Sequence, residues 1–273
     1  NCEKSNFMEP REGFEPSTNS LQGYKEQDLT RFKTYLVHNL ELSKRTVTLH
    51  IVNIRRFLKS RNILTEEGIQ AFLQSRSNLS EYTRANDKKS LRVYLKWLGL
   101  KELAERFKLK QPSPKPIRVV SDEAIQIFYH ALPDVRAKAI YLTYASSGLR
   151  RTEVRKLSLS DIDLGTGMIT ANHNTETKNS WITFINQEAL ETLKEYLKEK
   201  GSGEGRLFKI SEKAYRDMWI QTKEITGIEL TPQKLREWFC DKMGRLRVQE
   251  RYIDAFCGRI AKSILARHYT DYS

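Results

Sequence analysis

The sequence has few cysteines and no long apolar run. Its 273 residues include only three cysteines, Cys2, Cys240 and Cys257, and no Cys-x-x-Cys pair. An odd count without such a pair argues against a disulfide framework and against a zinc site. No apolar segment approaches the roughly 18 residues that cross a bilayer, and the N-terminus lacks the apolar stretch of a signal peptide. We therefore expect a cytoplasmic protein in a reducing compartment, with no metal and no membrane partner, and we interpret Cys240 and Cys257 as core thiols.

Positive charge, in contrast, is abundant. Lysine and arginine number 47 against 34 acidic residues, which gives a formal net charge of +13. Both signs are spread through patterned segments instead of being held in one basic tail. Such an excess predicts a polyanionic partner, and nucleic acid is the first candidate. The hydrophobic content of 39 % is enough to build a core in each of two domains.

The first part of the chain predicts a small helical domain. Four short segments with helical apolar spacing fall within residues 23–107, and Ser43 and Ser80 are suited to cap two of them. Residues 1–22 have no such period and are interpreted as an N-terminal arm. Residues 108–118 carry three prolines at every second position, which excludes a helix and predicts an extended basic linker.

Residues 119–273 predict a second domain in which a small sheet interrupts helices. Two helices and a Gly turn come first, and then short strands, on the last of which Trp181, Thr183 and Ile185 alternate. Further helical stretches are predicted near 187–200, 211–225, 232–243, 248–256 and 261–268. The predicted fold class is mainly α with a small antiparallel β-sheet, in two domains.

Several cations stand at positions that solubility alone does not explain. Arg150 directly follows a Gly turn, Lys178 lies at a predicted hairpin tip, Arg236 belongs to an amphipathic helix, and Arg259 follows another glycine. Guanidinium forks suit the oxygens of a phosphodiester. Near the end of the chain, Tyr269 offers a phenol that can act as a nucleophile once its proton is removed.

Taken in order, these segments resemble the motifs of the tyrosine recombinases, also called phage-type integrases. SSGLRRTEVRKLSLSDID, residues 146–163, is similar to the first arginine box, and TPQKLREWFCDKM, residues 231–243, to the second. CGRIAKSILARHYTDY, residues 257–272, resembles the terminal box with its nucleophilic tyrosine, and Lys178 matches the lysine on the hairpin between the two arginine boxes. The resemblance extends over residues 24–273.

The resemblance implies a site-specific DNA recombinase, built as a clamp of a helical core-binding domain and a catalytic domain. Tyr269 would attack the scissile phosphate and form a 3′-phosphotyrosine link. Arg150, Arg236 and Arg259 would stabilise the transition state, and Lys178 would protonate the leaving 5′ oxygen. The family implies no cofactor, double-stranded attachment sites as substrate, and a homo-tetramer on DNA that is a monomer in free solution and nucleoid-associated when bound.

The sequence departs from the family pattern at two positions. Gln233 stands where a histidine is usual, and an amide cannot accept a proton as neutral imidazole does, so Gln233 is interpreted as a phosphate or water contact. Arg259 stands where the family usually has His or Trp. A Gly-Arg pair followed by His268 and Tyr269 is similar to archaeal integrases of the fusellovirus and thermococcal mobile-element type. A cleavage-deficient DNA-binding accessory protein and a type IB topoisomerase-like strand transferase remain as alternatives.

The arm carries a further hint about the target. Residues 13–16, Gly-Phe-Glu-Pro, can be encoded by the GG-TTC-GAA-CC string of a tRNA T-arm. Integrases of the branch that this chain resembles have an attachment site inside their own gene that overlaps a tRNA gene. The alternative is a chance match of four residues. On the attachment-site interpretation the arm is constrained by DNA, and insertion at a tRNA gene is expected.

Basic residues of the helical domain and of the linker are predicted to contact DNA, although a basic helix face is more often simply solvated. The predicted contacts are Lys44, Arg45, Arg55, Arg56, Lys88, Lys89, Arg92, Lys96, Lys108, Lys110, Lys115 and Arg118.

Overall fold

The computed structural model describes residues 26–60, 63–110, 118–170, 182–201 and 205–259. The chain divides into two compact units, Asn1–Lys115 and Pro116–Ser273, and the described residues of each unit form a hydrophobic core. The described residues are mostly helical, with one two-stranded antiparallel sheet, which confirms the predicted fold class. Among these residues, no helix combines the length and the apolar character needed to cross a membrane.

The described residues of the first unit form five helices, where the sequence predicted four. They are α1 Glu26–His38, α2 Lys44–Lys59, α3 Glu66–Ser75, α4 Glu81–Trp97 and α5 Lys101–Arg106. The helix missed by the sequence analysis, α5, has six residues, too few to show a helical apolar period. The caps of α2 and α4 agree with expectation, because Ser43 and Ser80 accept hydrogen bonds from main-chain N–H groups of their first turns.

The core of the first unit is built on aromatic contacts between helices. The ring of Phe32 on α1 meets Tyr94 on α4 edge-on at 4.9 Å, and Phe57 on α2 meets Phe72 on α3 at 5.1 Å. Beside this core, α2 and α4 share a buried polar contact, in which His50 Nδ1 lies 2.9 Å from Ser90 Oγ. These contacts join α2 to α3 and α4.

The second unit is arranged around α7, whose middle is buried on every side. Its elements are α6 Asp122–His130, α7 Val135–Ser147, α8 Arg151–Val154, β1 Met168–Thr170, β2 Ile182–Phe184, α9 Gln187–Lys200, α10 Glu212–Thr226, α11 Pro232–Arg245 and α12 Glu250–Phe256. Helices α9 and α11 pack on α7, so that the C-terminal end of α7 meets α11 and, through it, α12.

The small sheet is attached to the same end of α7. Strands β1 and β2 pair antiparallel with Ile169 opposite Thr183. The hydroxyl of Thr183 donates a 2.7 Å hydrogen bond to the carbonyl of Ser147, the last residue of α7. Trp181, which the sequence placed on the second strand, lies outside the described residues.

Candidate active site

Arg150 is positioned by a sharp turn at the end of α7. Gly148 ends this helix with φ +65°, and a Cβ at this position would come within 2.5 Å of the Phe239 ring. The chain reverses there, and Arg150 is the N-cap residue of α8. Glu153 fixes the arginine twice, because its carboxylate accepts the main-chain N–H of Arg150 at 2.6 Å and the guanidinium Nη1 at 2.7 Å. The guanidinium therefore has a set orientation and remains partly exposed.

Arg236 lies on α11 and is almost completely buried, with 5 % of its surface exposed. Its Nη1 donates to the carbonyl of Gly148, and its Nη2 donates to the carbonyl of Cys257 at 2.6 Å. The guanidinium thus joins the end of α7 to the end of α12. Burial lowers its pKa, and the positive charges of Arg150 and Arg259 act in the same direction. A guanidinium nevertheless stays charged in a protein, so the two carbonyls compensate a buried cation.

Arg259 follows α12 and is held on two sides. Its Nη1 donates to Asp254 Oδ1 at 3.0 Å, and its Nη2 lies 3.5 Å from Cys240 Sγ on α11. The side chain is about half-exposed. Arg259 is thus the most solvent-accessible of the three predicted arginines.

One turn, Cys257–Gly258–Arg259, brings the three arginines together. Arg236 donates to the carbonyl of Cys257, and Arg150 donates to the carbonyl of Gly258 at 3.1 Å. The third arginine belongs to the turn itself. Three positive groups therefore lie together where α7 and α12 end beside α11. Their combined charge attracts an anion that carries several oxygens.

Gln233 lies three residues before Arg236 on α11. It is exposed near the start of α11, and its Nε2 donates to Glu237 Oε1 at 3.0 Å. Three of the six predicted catalytic residues, Arg150, Arg236 and Arg259, are thus brought to one place, and Gln233 lies on the same helix as Arg236. Lys178 and Tyr269 lie outside the described residues, as does His268.

The contact between Cys240 and Cys257 was not predicted from the sequence. Cys257 is fully buried, but Cys240 is only half-buried and its Sγ lies 3.5 Å from that of Cys257. Spacing indicates only that Cys240 lies on the same face of α11 as Arg236, which precedes it by one helical turn, and gives no signal for the contact with Cys257. Asp254, the carboxylate partner of Arg259, was also missed.

The side chains predicted to contact DNA differ in whether they are exposed or already paired with an acceptor in the protein. Within α2, Lys44, Arg45 and Lys59 are exposed. On α4, by contrast, Arg92 and Lys96 both pair with Glu105 of α5, at 2.8 and 2.7 Å. Of the other predicted contacts, five are exposed: Arg55, Lys89, Lys108, Lys110 and Arg118. Arg56 pairs with Asp87, and Lys88 donates a hydrogen bond to the carbonyl of Lys108. Lys115 lies outside the described residues.

No metal centre is found in the part of the chain that the structure describes, where no group of three or more His, Cys, Asp or Glu residues is placed to hold an ion.

Comparison with known proteins gives the family. The model of the phage integrase family matches residues 118–273. Tyrosine recombinase XerA of Pyrococcus furiosus is 28 % identical over 251 residues, which cover 86 % of this chain and 86 % of that protein. XerA of Thermococcus kodakarensis is 26 % identical over 246 residues, or 84 % of this chain and 86 % of that protein. Both organisms are consistent with the archaeal type that the sequence resembled.

Solved structures agree on the fold. The lambda integrase bound to DNA is 15 % identical with a TM-score of 0.68, and the match covers 88 % of this chain and 94 % of that one. The Tn1549 transposon integrase in complex with circular intermediate DNA is 15 % identical with a TM-score of 0.65, covering 84 % and 91 %. Because the family model matches more than half of its residues, the chain belongs to the phage integrase family, the tyrosine recombinases.

Proposed function

We propose that the protein is a site-specific DNA recombinase that cleaves and rejoins DNA through a 3′-phosphotyrosine intermediate. The observation that carries this proposal is the convergence of Arg150, Arg236 and Arg259 on one turn. Each is fixed by a neighbouring carboxylate or carbonyl, so the guanidiniums are held in place before a substrate arrives. Preorganised donors of this kind stabilise charge that develops in a transition state.

The chemistry follows from the residue types. Tyr269 attacks the scissile phosphorus, the phosphorus–O5′ bond breaks, and Lys178 gives a proton to the departing 5′ oxygen. Arg150 and Arg259, the two partly exposed guanidiniums, bind the nonbridging oxygens. Arg236 is buried behind them and supports the pentacoordinate phosphorane mainly through its charge. The phosphotyrosine bond retains the energy of the cleaved bond, so the reaction as proposed uses neither ATP nor metal.

The partner is double-stranded DNA at attachment sites. Solved relatives of the same fold, the lambda and Tn1549 integrases, are described as bound to DNA. The net charge of +13 and the exposed cations of α2 fit such a polyanion. We further propose that four copies act together on two sites, and that the element integrates at or is excised from a tRNA gene whose T-arm sequence can encode residues 13–16.

A covalent trap tests the proposal. Nicked suicide duplexes tiled across the protein's own gene release a short fragment on cleavage and so prevent religation. We expect a protein–DNA adduct that survives denaturing electrophoresis and is absent with Tyr269→Phe. Tyr272→Phe, a change of the same kind three residues away, should still form it. An adduct that persists in Tyr269→Phe would assign the nucleophile to another residue.

Two-site products separate a recombinase from a topoisomerase. A type IB topoisomerase acts on one site and relaxes supercoils, whereas a recombinase joins strands from two duplexes. We expect labelled duplexes to yield joined products whose junction sequence fixes the cut positions. Relaxation of a supercoiled plasmid without any joined product would favour the topoisomerase reading.

The cleavage-deficient accessory protein is the second candidate, and Gln233 is the observation that favours it. Its amide is engaged by Glu237 and offers no proton acceptor at a position where the family usually has histidine. Sequence-selective duplex binding without any adduct, in a folded wild-type protein, would support this candidate.

A further inference from the structure

The two cysteines of the second unit form a close pair beside the arginines. Cys240 Sγ and Cys257 Sγ are 3.5 Å apart, one on α11 and the other at the end of α12. A guanidinium nitrogen of Arg259 lies 3.5 Å from Cys240 Sγ. Cys257 is buried, whereas Cys240 is half-buried and within reach of a small oxidant. Neither thiol has a part in the proposed cleavage chemistry.

We propose that Cys240 and Cys257 are an oxidative modification site, at which a peroxide converts the pair to a disulfide and thereby inactivates the arginine cluster. The proposal that a disulfide forms rests on the geometry of the cysteine pair alone. Its effect on cleavage rests on the proposed function.

The two thiols have different reactivity. The hydrogen bond from Cys257, together with the nearby charges of Arg259 and Arg236, lowers the pKa of Cys240, although burial opposes this. A lower pKa raises the fraction of thiolate, the reactive form of cysteine. The hydrogen bond with Cys240 and burial raise the pKa of Cys257, which keeps it a thiol. One sulfur is thus the nucleophile and the other the resolving group.

The reaction proceeds in two steps. The Cys240 thiolate attacks one oxygen of hydrogen peroxide, the O–O bond breaks, and the departing hydroxide takes a proton to become water, which leaves a sulfenic acid on Cys240. The Cys257 sulfur then attacks the Cys240 sulfur while its thiol proton is transferred to the departing hydroxide, which leaves as a second water. Two thiols lose two electrons and one peroxide is reduced to two waters.

Disulfide formation displaces a sulfur that belongs to the turn holding the arginines. A disulfide bond is about 2.05 Å long, so the two sulfurs must approach by roughly 1.5 Å. Cys257 begins the turn whose carbonyls bind Arg236 and Arg150. Its sulfur also lies 3.1 Å from the point where a Cβ would stand on Gly148, the residue whose carbonyl holds Arg236 from the other side. Displacements of about 1 Å in a catalytic site can lower rates on the order of 10²-fold.

The chemical part is tested by peptide mapping of the full chain carrying Cys2→Ser, so that only two thiols remain. Trypsin cleaves after Arg236, Lys242, Arg251 and Arg259, which leaves the cysteines in separate peptides, residues 237–242 and 252–259. We expect hydrogen peroxide to produce these peptides joined, and a thiol reductant to release them. In Cys257→Ser, a 1,3-diketone reagent should label the sulfenic acid on Cys240. Peroxide-treated protein in which both thiols still react with iodoacetamide would overturn the proposal.

The functional part compares cleavage before and after peroxide. We expect oxidation to lower single-turnover cleavage by about tenfold or more, with recovery on reduction. The matched variant Cys240→Ser should show no such response, and because the result is a ratio within one variant, its basal rate does not matter. A disulfide that forms without changing the ratio would overturn the inactivation. If the reduced protein cleaves no duplex, the proposed function fails. Peptide mapping then still determines whether Cys240 and Cys257 form a disulfide.

Discussion

The buried arginine of the candidate site, Arg236, is oriented by main-chain carbonyls that no motif reveals. The positions of Arg150, Arg236 and Arg259 were predictable, because each follows a recognisable turn or box. The acceptors of Arg236 are the carbonyls of Gly148 and Cys257, 88 and 21 residues away along the chain. Any residue type supplies a carbonyl, so such contacts leave no compositional trace and only the fold identifies them.

The first prediction concerns how the phenol of Tyr269 loses its proton. Gln233 faces solvent and bonds to Glu237, so it does not serve as a base. The positive field of the arginines then favours the phenolate, whose free pKa is about 10. We expect Gln233→Ala to lower single-turnover cleavage at neutral pH by about tenfold or less, and Arg259→Ala by on the order of 10² or more.

The control for this prediction is His268→Ala, because His268 is the residue next to the nucleophile that titrates near neutral pH. On a helix, neighbouring residues point about 100° apart, so we expect this change to be mild. Abolition of cleavage by His268→Ala, together with a mild Arg259→Ala, would replace field activation with a histidine base.

The second prediction compares two glycines that end helices in the left-handed conformation. Gly148 has φ +65° and no room for a Cβ, whereas Gly227 has φ +69° and open space around it. Gly227→Ala should cost about 1–2 kcal/mol of unfolding free energy through backbone strain alone. Gly148→Ala adds overpacking against Phe239, for a total of about 2–5 kcal/mol. Chemical denaturation measures both, and equal losses would contradict the packing argument.

Helices were predicted where the segment was long enough for apolar residues to repeat at helical spacing. Ser43 and Ser80 cap α2 and α4 as expected, because capping depends on local sequence. Helix α5 was missed, although it supplies Glu105 as a partner for two cations of α4. Contacts between helices depend on tertiary packing, so a basic helix in the sequence does not by itself show which of its charges are available.

The third prediction follows from this difference between α2 and α4. Arg45 and Lys59 on α2 are exposed, and within the described residues neither forms an ion pair with a carboxylate. Changing both to Gln should flatten the log–log salt dependence of duplex binding by about 0.9 per lost phosphate contact. Changing Arg92 and Lys96 to Gln should alter the slope less, because Glu105 already competes for them. Equal slopes for the two double variants, measured by fluorescence anisotropy, would refute the distinction.

At the scale of the whole chain, the position of a domain boundary is predicted from proline spacing, whereas contacts within the site depend on the fold. The proline-rich segment at residues 108–118 marks a boundary because alternate prolines cannot form a helix, and the two compact units divide inside it. The curated relatives from Pyrococcus furiosus and Thermococcus kodakarensis match across both units, over 86 % and 84 % of the chain. The pairing of Cys240 with Cys257, in contrast, depends on how α11 meets α12 and could not be predicted from spacing.

The last prediction concerns the N-terminal arm, residues 1–22. The core of the first unit, as far as the structure describes it, begins at Leu29 on α1 and continues through the fully buried Phe32 and Leu36. Deleting residues 1–20 removes none of these, so we expect the shortened protein to fold and to cleave a supplied attachment site at nearly the full-length rate. Deleting residues 1–40 removes all of α1 and should lower the melting temperature sharply, since each large buried side chain contributes about 2–5 kcal/mol. If the 1–20 deletion folds but no longer cleaves, the arm has a role in the protein itself, and not only in the tRNA-like DNA sequence of its gene.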